Sequence, residues 1–205
     1  MSTRGLSVVA TRSLFQEGDG SSILTSPQQL KVIECQFEEI SHIFERYPYK
    51  GSHMGGGISF CLALRFGDTI MGGAVIGNPR HERSYPGALD IRRLACKDEA
   101  PKNTESYFLS KIVWYVKKYN LADSLITYAD PSVGHKGTIY RAANFTLVGE
   151  TTESKQVFWK GKRYHPRSLS IERPYSHELR EAVKRGEATI QTTEPKLVYE
   201  YKIKR

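Results

Sequence analysis

Between residues 88 and 129 the chain reads as strand, long helix, strand, and that run constrains the fold more than any other feature. Residues 88–95 read as a strand and 124–129 as a short buried strand. Between them, 104–119 carries Phe108, Ile112, Trp114, Tyr115 and Val116 on its apolar side, and Asn120 follows its end. Ahead of this unit, 58–66 and 69–76 read as strands joined by Gly67-Asp68, a two-residue hairpin signal. Hairpin strands first and a strand–helix–strand unit later predict a mixed sheet in an α/β or α+β domain. Further elements are expected as strands at 30–35, 146–150 and 196–204 and as helices at 37–47, 137–143 and 175–185. Residues 1–27, rich in Ser, Thr and Gly, read as an N-terminal arm with one short strand at 6–11, and 28–205 as a single domain. A tight glycine-rich loop is expected at 50–57.

Twelve Tyr and eight Phe in 205 residues are enough for a real core, which argues against disorder and against a disulfide scaffold. Cys35, Cys61 and Cys96 are odd in number, widely spaced and without a CxxC pair, so a reducing compartment is expected and a structural zinc site is not. No run reaches the roughly 18 apolar residues of a membrane span, and the start lacks the apolar block of a signal peptide. The expectation is a soluble cytoplasmic chain with no membrane partner.

Charge is distributed unevenly. Residues 1–153 hold 17 Lys and Arg against 16 Asp and Glu, whereas 154–205 hold 13 against 6. In that last quarter Lys155, Lys160, Lys162, Arg163 and Arg167 are interleaved with Phe158, Trp159, Tyr164 and His165. Cations for phosphates and aromatic faces for bases make a nucleic-acid surface, and a solvated basic strand and hairpin would have the same composition.

Two other stretches carry chemistry. The connection 96–103 ends at the start of the long helix, where unpaired amides and the positive dipole end suit an anion. Thr104 and Ser106 add hydroxyls there, and Arg92, Arg93 and Lys102 add charge, with Asn103 at the turn; an ordinary capped helix start reads the same way. In the second stretch, 127–150, a strand leads into a short helix with Tyr140, closed by Asn144-Phe145 before a strand with Gly149.

That second pattern resembles the C-terminal signature of the GNAT acyltransferases, although the glycine-rich pyrophosphate loop of that superfamily is not recognisable in 92–106. A longer series narrows the resemblance: Arg92-Arg93-Leu94, Asp98, Pro101-Lys102-Asn103, the run Glu105 to Ser110, Tyr128-Ala129-Asp130-Pro131, Gly134-His135, Gly137-Thr138-Ile139-Tyr140 and Ala143-Asn144-Phe145. In this order the motifs resemble the bacteriophage Mom proteins, divergent members of the GNAT superfamily. The resemblance is dense over 88–150 and fainter at 47–53 and 195–201.

The resemblance implies a GNAT-like, mostly antiparallel central sheet flanked by helices. It implies a transferase that puts a small acetamido- or methylcarbamoyl-type group on N6 of adenine in phage DNA, inside the infected bacterial host, and so blocks restriction. Acetyl-CoA or another acyl donor would be the cofactor. The partner would be DNA, either duplex with an extruded adenine or single-stranded. Arg93 and Ser106 fall with the donor's phosphates, Asp130 and Tyr140 at the reaction centre, and Tyr47, Tyr49 and His53 in the loop bordering the acceptor pocket.

Several alternatives stand beside these roles. Asp130 can accept a proton or simply start an Asp-Pro turn. Tyr140 can protonate a departing thiolate or simply pack in the core. His135 reads as a base, a metal ligand or a loop contact, and His53 suits chemistry better than His42, which falls on a helix. A metal such as iron held by His53, Asp130 and His135 is conceivable, but no tight ligand spacing supports it. At the level of function, the rivals are an acyltransferase acting on another amine, one using aminoacyl-tRNA as donor, and a GNAT-fold module that binds DNA without catalysis.

Overall fold

The computed structural model describes residues 23–45, 57–79 and 84–203. The chain enters through a 3-10 turn at Pro27–Gln29 and runs β1 (Lys31–Cys35), α1 (Phe37–Phe44), β2 (Ile58–Phe66), β3 (Thr69–Gly77), β4 (Ala88–Cys96), α2 (Thr104–Lys118) and β5 (Ser124–Ala129). It continues through α3 (Thr138–Ala142), β6 (Thr146–Glu150), β7 (Ser154–Trp159), β8 (Lys162–Tyr164), α4 (Ser176–Lys184), β9 (Thr189–Thr193) and β10 (Leu197–Lys202). The strand expected at 6–11 and most of the loop expected at 50–57 lie outside the described residues.

Seven strands form the main sheet in the order β1-β2-β3-β4-β5-β10-β6. All neighbours are antiparallel except β4 and β5, which are parallel because α2 carries the chain back across the sheet between them. The two-residue alternation of β2 sorts its side chains. Leu62 and Leu64 join Phe108, Leu109, Ile112 and Val116 of α2 on one face. Cys61 and Ala63 join Ile40, Ile43 and Phe44 of α1 on the other. Removing each such Leu, Ile or Phe side chain from water is worth about 1.5–3 kcal/mol, so the two helices are held chiefly by these contacts. Gly73 of β3 makes the α1 seat possible, since a Cβ there would stand 2.9 Å from Ile40 Cβ.

The chain between β6 and β10 leaves this sheet and builds a second one. Residues 151–196 form a three-stranded antiparallel sheet, β8-β7-β9, with α4 packed on one face. Its core is separate, made of Val157, Trp159, Leu179, Ala182 and Ala188. At its root the Thr151 amide donates to the Lys196 carbonyl at 2.9 Å, and the Lys196 amide donates to Thr151 Oγ1 at 2.9 Å. The periodicity anticipates α4 and the basic strand and hairpin but not β9.

Candidate active site

β4 and β5 are paired over only three residues each, Ala88–Leu89–Asp90 with Ser124–Leu125–Ile126. Beyond that point no ladder joins them, although β4 runs on to Cys96 and β5 to Ala129. A register shift opposite Val75 and Ile76 bends β4 at the same level. The result is a wedge in the sheet whose two edges present backbone groups outside any ladder. An extended, amide-bearing chain can add to such edges as a short strand does. Within the wedge, Thr127 Oγ1 donates to the Ile91 carbonyl at 3.3 Å, a buried link between the diverging strands.

Both α2 and α3 start from the wide end of the wedge. Asn103 precedes α2 in the left-handed conformation (φ 68°) and offers no side-chain cap to its first amides. A groove of about 420 Å³ runs from there to the end of α3, with Lys102, Asn103, Ser106, Ala143, Asn144 and Tyr201 among its lining residues. Three expected cofactor-binding residues, Lys102, Asn103 and Ser106, therefore meet on one groove. Thr104 does not line it: its hydroxyl is turned back to the Pro101 carbonyl at 2.6 Å, and the residue is buried.

Arg93 and Arg92 are not brought to that groove. Arg93 alternates onto the α1 face of the sheet, with its guanidinium carbon 5.6 Å from the centroid of Phe44, and burial pulls its pKa below the ordinary value. Arg92 donates from Nη2 to the Asn78 carbonyl at 2.7 Å and backs onto Gly57. The expectation that Arg93 and Ser106 share one phosphate site does not match this placement, because the sheet lies between them.

Tyr140 sits in the middle of α3, and both ends of that helix fix it. Gly137 (φ 71°) starts the turn and lies so close to Tyr199 that a Cβ there would strike the Tyr199 ring and hydroxyl. Asn144 (φ 63°) ends it, and the Phe145 amide donates to the Tyr140 carbonyl at 2.9 Å. The Tyr140 ring rests between Tyr199 and Phe145, at centroid distances of 5.4 and 6.1 Å. Burial raises its pKa, and the nearby Asp90 carboxylate and Tyr199 add to the rise against a hydrogen bond with Thr127. The phenol therefore keeps its proton at neutral pH, beside the residue that bridges the wedge.

Asp130 follows β5 directly. Burial pulls its pKa up, but hydrogen bonds from Ser132 and the Lys196 ammonium outweigh this and hold the carboxyl below the usual range. Its Oδ1 accepts from the Ser132 amide at 3.2 Å and hydroxyl at 2.5 Å, and its Oδ2 is 3.2 Å from Lys196 Nζ. Asp130 thus starts a 3-10 turn and also ties the wide end of the wedge to the root of the inserted sheet. His135 is exposed in the following loop.

Tyr47, Tyr49 and His53 lie outside the described residues, and among the described residues no three His, Cys, Asp or Glu are grouped to hold a metal ion. In the inserted sheet, Lys155, Lys160, Lys162, Arg163 and Arg167 are exposed. Trp159 corrects the expectation of a stacking residue, because it is only 7% exposed and lies in the local core, with Lys160 Nζ 4.4 Å from its ring centroid. The strand alternation of Val157 and Trp159, matched by Leu179 and Ala182 on a helix, is the signal that would have placed it inside.

Comparison with known proteins agrees with this geometry. The model of the Mom protein family matches residues 45–203, well over half of the chain. The methylcarbamoylase Mom of Escherichia phage Mu is 28% identical over 85 residues, 41% of this chain and 35% of that protein. The chain thus spans about a third of the length of the curated relative it matches. The ribosomal-protein-S18-alanine N-acetyltransferase of Escherichia coli superposes with a TM-score of 0.51 at 11% identity, over 86% of this chain and 95% of its own. The protein yncA of Salmonella typhimurium, solved with its cofactor acetyl-CoA, gives 0.52 at 7% identity over 86% and 95%. At such identities the likeness establishes a shared acetyltransferase fold of the GNAT kind, with its mostly antiparallel sheet flanked by helices.

Proposed function

The chain belongs to the Mom protein family, and from that premise we propose that it transfers a small acetamido- or methylcarbamoyl-type group to N6 of adenine in DNA, protecting phage DNA from restriction. The observation that carries this reading is the β4–β5 wedge with the protonated Tyr140 beside it. An acyl-CoA donor fits the residues present. The wedge edges suit its amide-bearing arm, and Lys102, Asn103 and Ser106 with the start of α2 suit its phosphates. When bound, a thioester donor whose acyl group already carries the amide nitrogen would supply the transferred group, with its thiolate as the leaving group.

The chain's own residues then have distinct tasks. Tyr140 holds a proton at its hydroxyl and is the group able to release it to a departing atom in the wedge. Thr127, fixed on the Ile91 carbonyl, orients that hydroxyl. Asp130, held anionic, is a weak base; its task is to position the inserted sheet through Lys196, with the option of accepting a hydrogen bond from an exocyclic amine. Tyr47, Tyr49 and His53 remain candidates for the acceptor pocket, where an extruded adenine would need aromatic faces. The exposed cations Lys155, Lys160, Lys162, Arg163 and Arg167 supply the charge that holds a DNA backbone.

The test is mass spectrometry of nucleosides from bacteria expressing the chain or its Tyr140→Phe variant. A new adenosine-derived mass that disappears in the variant is expected, and its increment names the group transferred. An unchanged nucleoside profile with soluble, folded protein overturns the reading.

A further inference from the structure

The inserted sheet has two unlike faces. Val157 and Trp159 of the central strand β7 point to α4 and form the local core. Alternation sends Phe158 and Gln156 to the opposite face, where the register places Arg163 of β8 and Thr189 of β9 directly beside Phe158, and Gln191 of β9 beside Gln156. Phe158 is half-buried and belongs to none of the hydrophobic clusters. An aromatic ring thus stands at the centre of a small sheet, flanked by a guanidinium and two amide side chains.

Charge is segregated along the chain, and the register sets Arg163 on the Phe158 face, whereas Lys162 stands opposite Trp159 and Lys160 lies over the Trp159 ring. Of the six acids in 151–196, Glu153 precedes β7, and Glu172, Glu178, Glu181, Glu187 and Glu194 follow the hairpin; three are ion-paired, Glu172 to Arg180, Glu181 to Lys184 and Glu187 to Arg185. Residues 154–167, which make β7, the hairpin turn, β8 and the first part of the next turn, hold five cations and no acid. The turn itself carries Lys160 at φ 50° ahead of Gly161 at φ 71°, the left-handed pair of a type I′ hairpin, so a lysine occupies a position that ordinarily favours Asn or Gly. The root of the unit is fixed by register at the wide end of the wedge, because Leu197 pairs with both Ala129 and Glu150.

From these observations we infer that the Phe158 face of the β8-β7-β9 sheet is a platform for single-stranded DNA, an unpaired base stacking on Phe158 beside Arg163, while the basic hairpin as a whole supplies the charge that attracts the strand. This rests on the DNA reading above and deepens it, since a ring lying in a sheet face can stack only on a base that has left its duplex. Gln156 and Gln191 add amides able to bond base edges, and Arg163 adds a planar cation that itself stacks on bases.

Fluorescence anisotropy of the full chain with labelled oligothymidylate and with a labelled duplex tests it. Wild type should bind both in a strongly salt-dependent manner. Phe158→Ala should lose about fivefold or more in affinity for the single strand, with duplex affinity kept within about twofold. Phe158→Tyr should bind the single strand like wild type, and Lys162→Ala should weaken both forms alike. Should Phe158→Ala fail to fold, Phe158→Leu keeps apolar bulk without an aromatic face, and the same comparison decides. Unchanged single-strand affinity in the folded variant, or equal losses on both forms, overturns the platform while leaving the DNA reading in place. Absence of binding by wild type to either form removes the DNA reading and the platform together.

Discussion

A single hydroxyl separates the two roles open to Tyr140. Its ring packs between Tyr199 and Phe145 whichever role is right, so Tyr140→Phe keeps the packing and deletes only the proton. We expect the unfolding midpoint to stay near that of wild type while DNA modification falls about a hundredfold or more, the usual scale for losing a positioned acid. Asp130 behaves in the opposite way, because its contacts are structural. Its folded pKa lies below the ordinary 3.8, so it stabilises the fold at pH values above that and loses this contribution as pH falls through the lowered value. Asp130→Asn should therefore be less stable than wild type by about 1 kcal/mol at pH 7, with the difference fading as pH falls below the ordinary carboxylate range in urea titrations. The burial-raised thiols of Cys35, Cys61 and Cys96, at about 12, about 11 and about 12, stay protonated at neutral pH, in keeping with cysteines that pack rather than react.

At the scale of elements, α3 is a short helix whose geometry is imposed from both ends. Gly137→Ala would place a methyl group against Tyr199 and force a non-glycine residue to φ 71°. We expect a loss of about 2–3 kcal/mol in denaturant unfolding, together with reduced modification, because the same turn aims Tyr140. Much of this level was legible in the sequence. The hairpin at Gly67-Asp68, the helix opening at Thr104 and the strand at Ser124–Ala129 follow from turn residues and periodicity, which act over a few neighbouring residues. The face taken by Arg93 was not legible, because the bend that sets it arises from pairing with β3, a partner distant in sequence. Trp159 was misplaced for a similar reason. Its cationic neighbours in the chain suggested a surface, whereas burial is decided by α4, met only some twenty residues later. The resemblance put Tyr140 at the reaction centre, and the structure sets it near Thr127, but nothing in its own spacing distinguished such a place from core packing.

For the whole molecule, the division of labour follows from the strand order. β10 pairs with β5 on one side and β6 on the other, so the seven-stranded sheet closes without help from residues 151–196. Replacing 152–195 by a short turn should leave a protein that folds cooperatively and still binds an acyl-CoA donor, while its affinity for DNA drops to the level of weak charge contact. Calorimetric unfolding and donor titration check the first two outcomes, and anisotropy the third. Thr151 and Lys196, joined by two hydrogen bonds, one between backbone groups and one from the Lys196 amide to the Thr151 hydroxyl, pinch the root of the unit together. The inserted sheet is in effect an exchangeable head on a common handle. A new head grafted between the same two strands would change the surface presented to an acceptor and leave the β4–β5 wedge, the proposed donor site, unchanged.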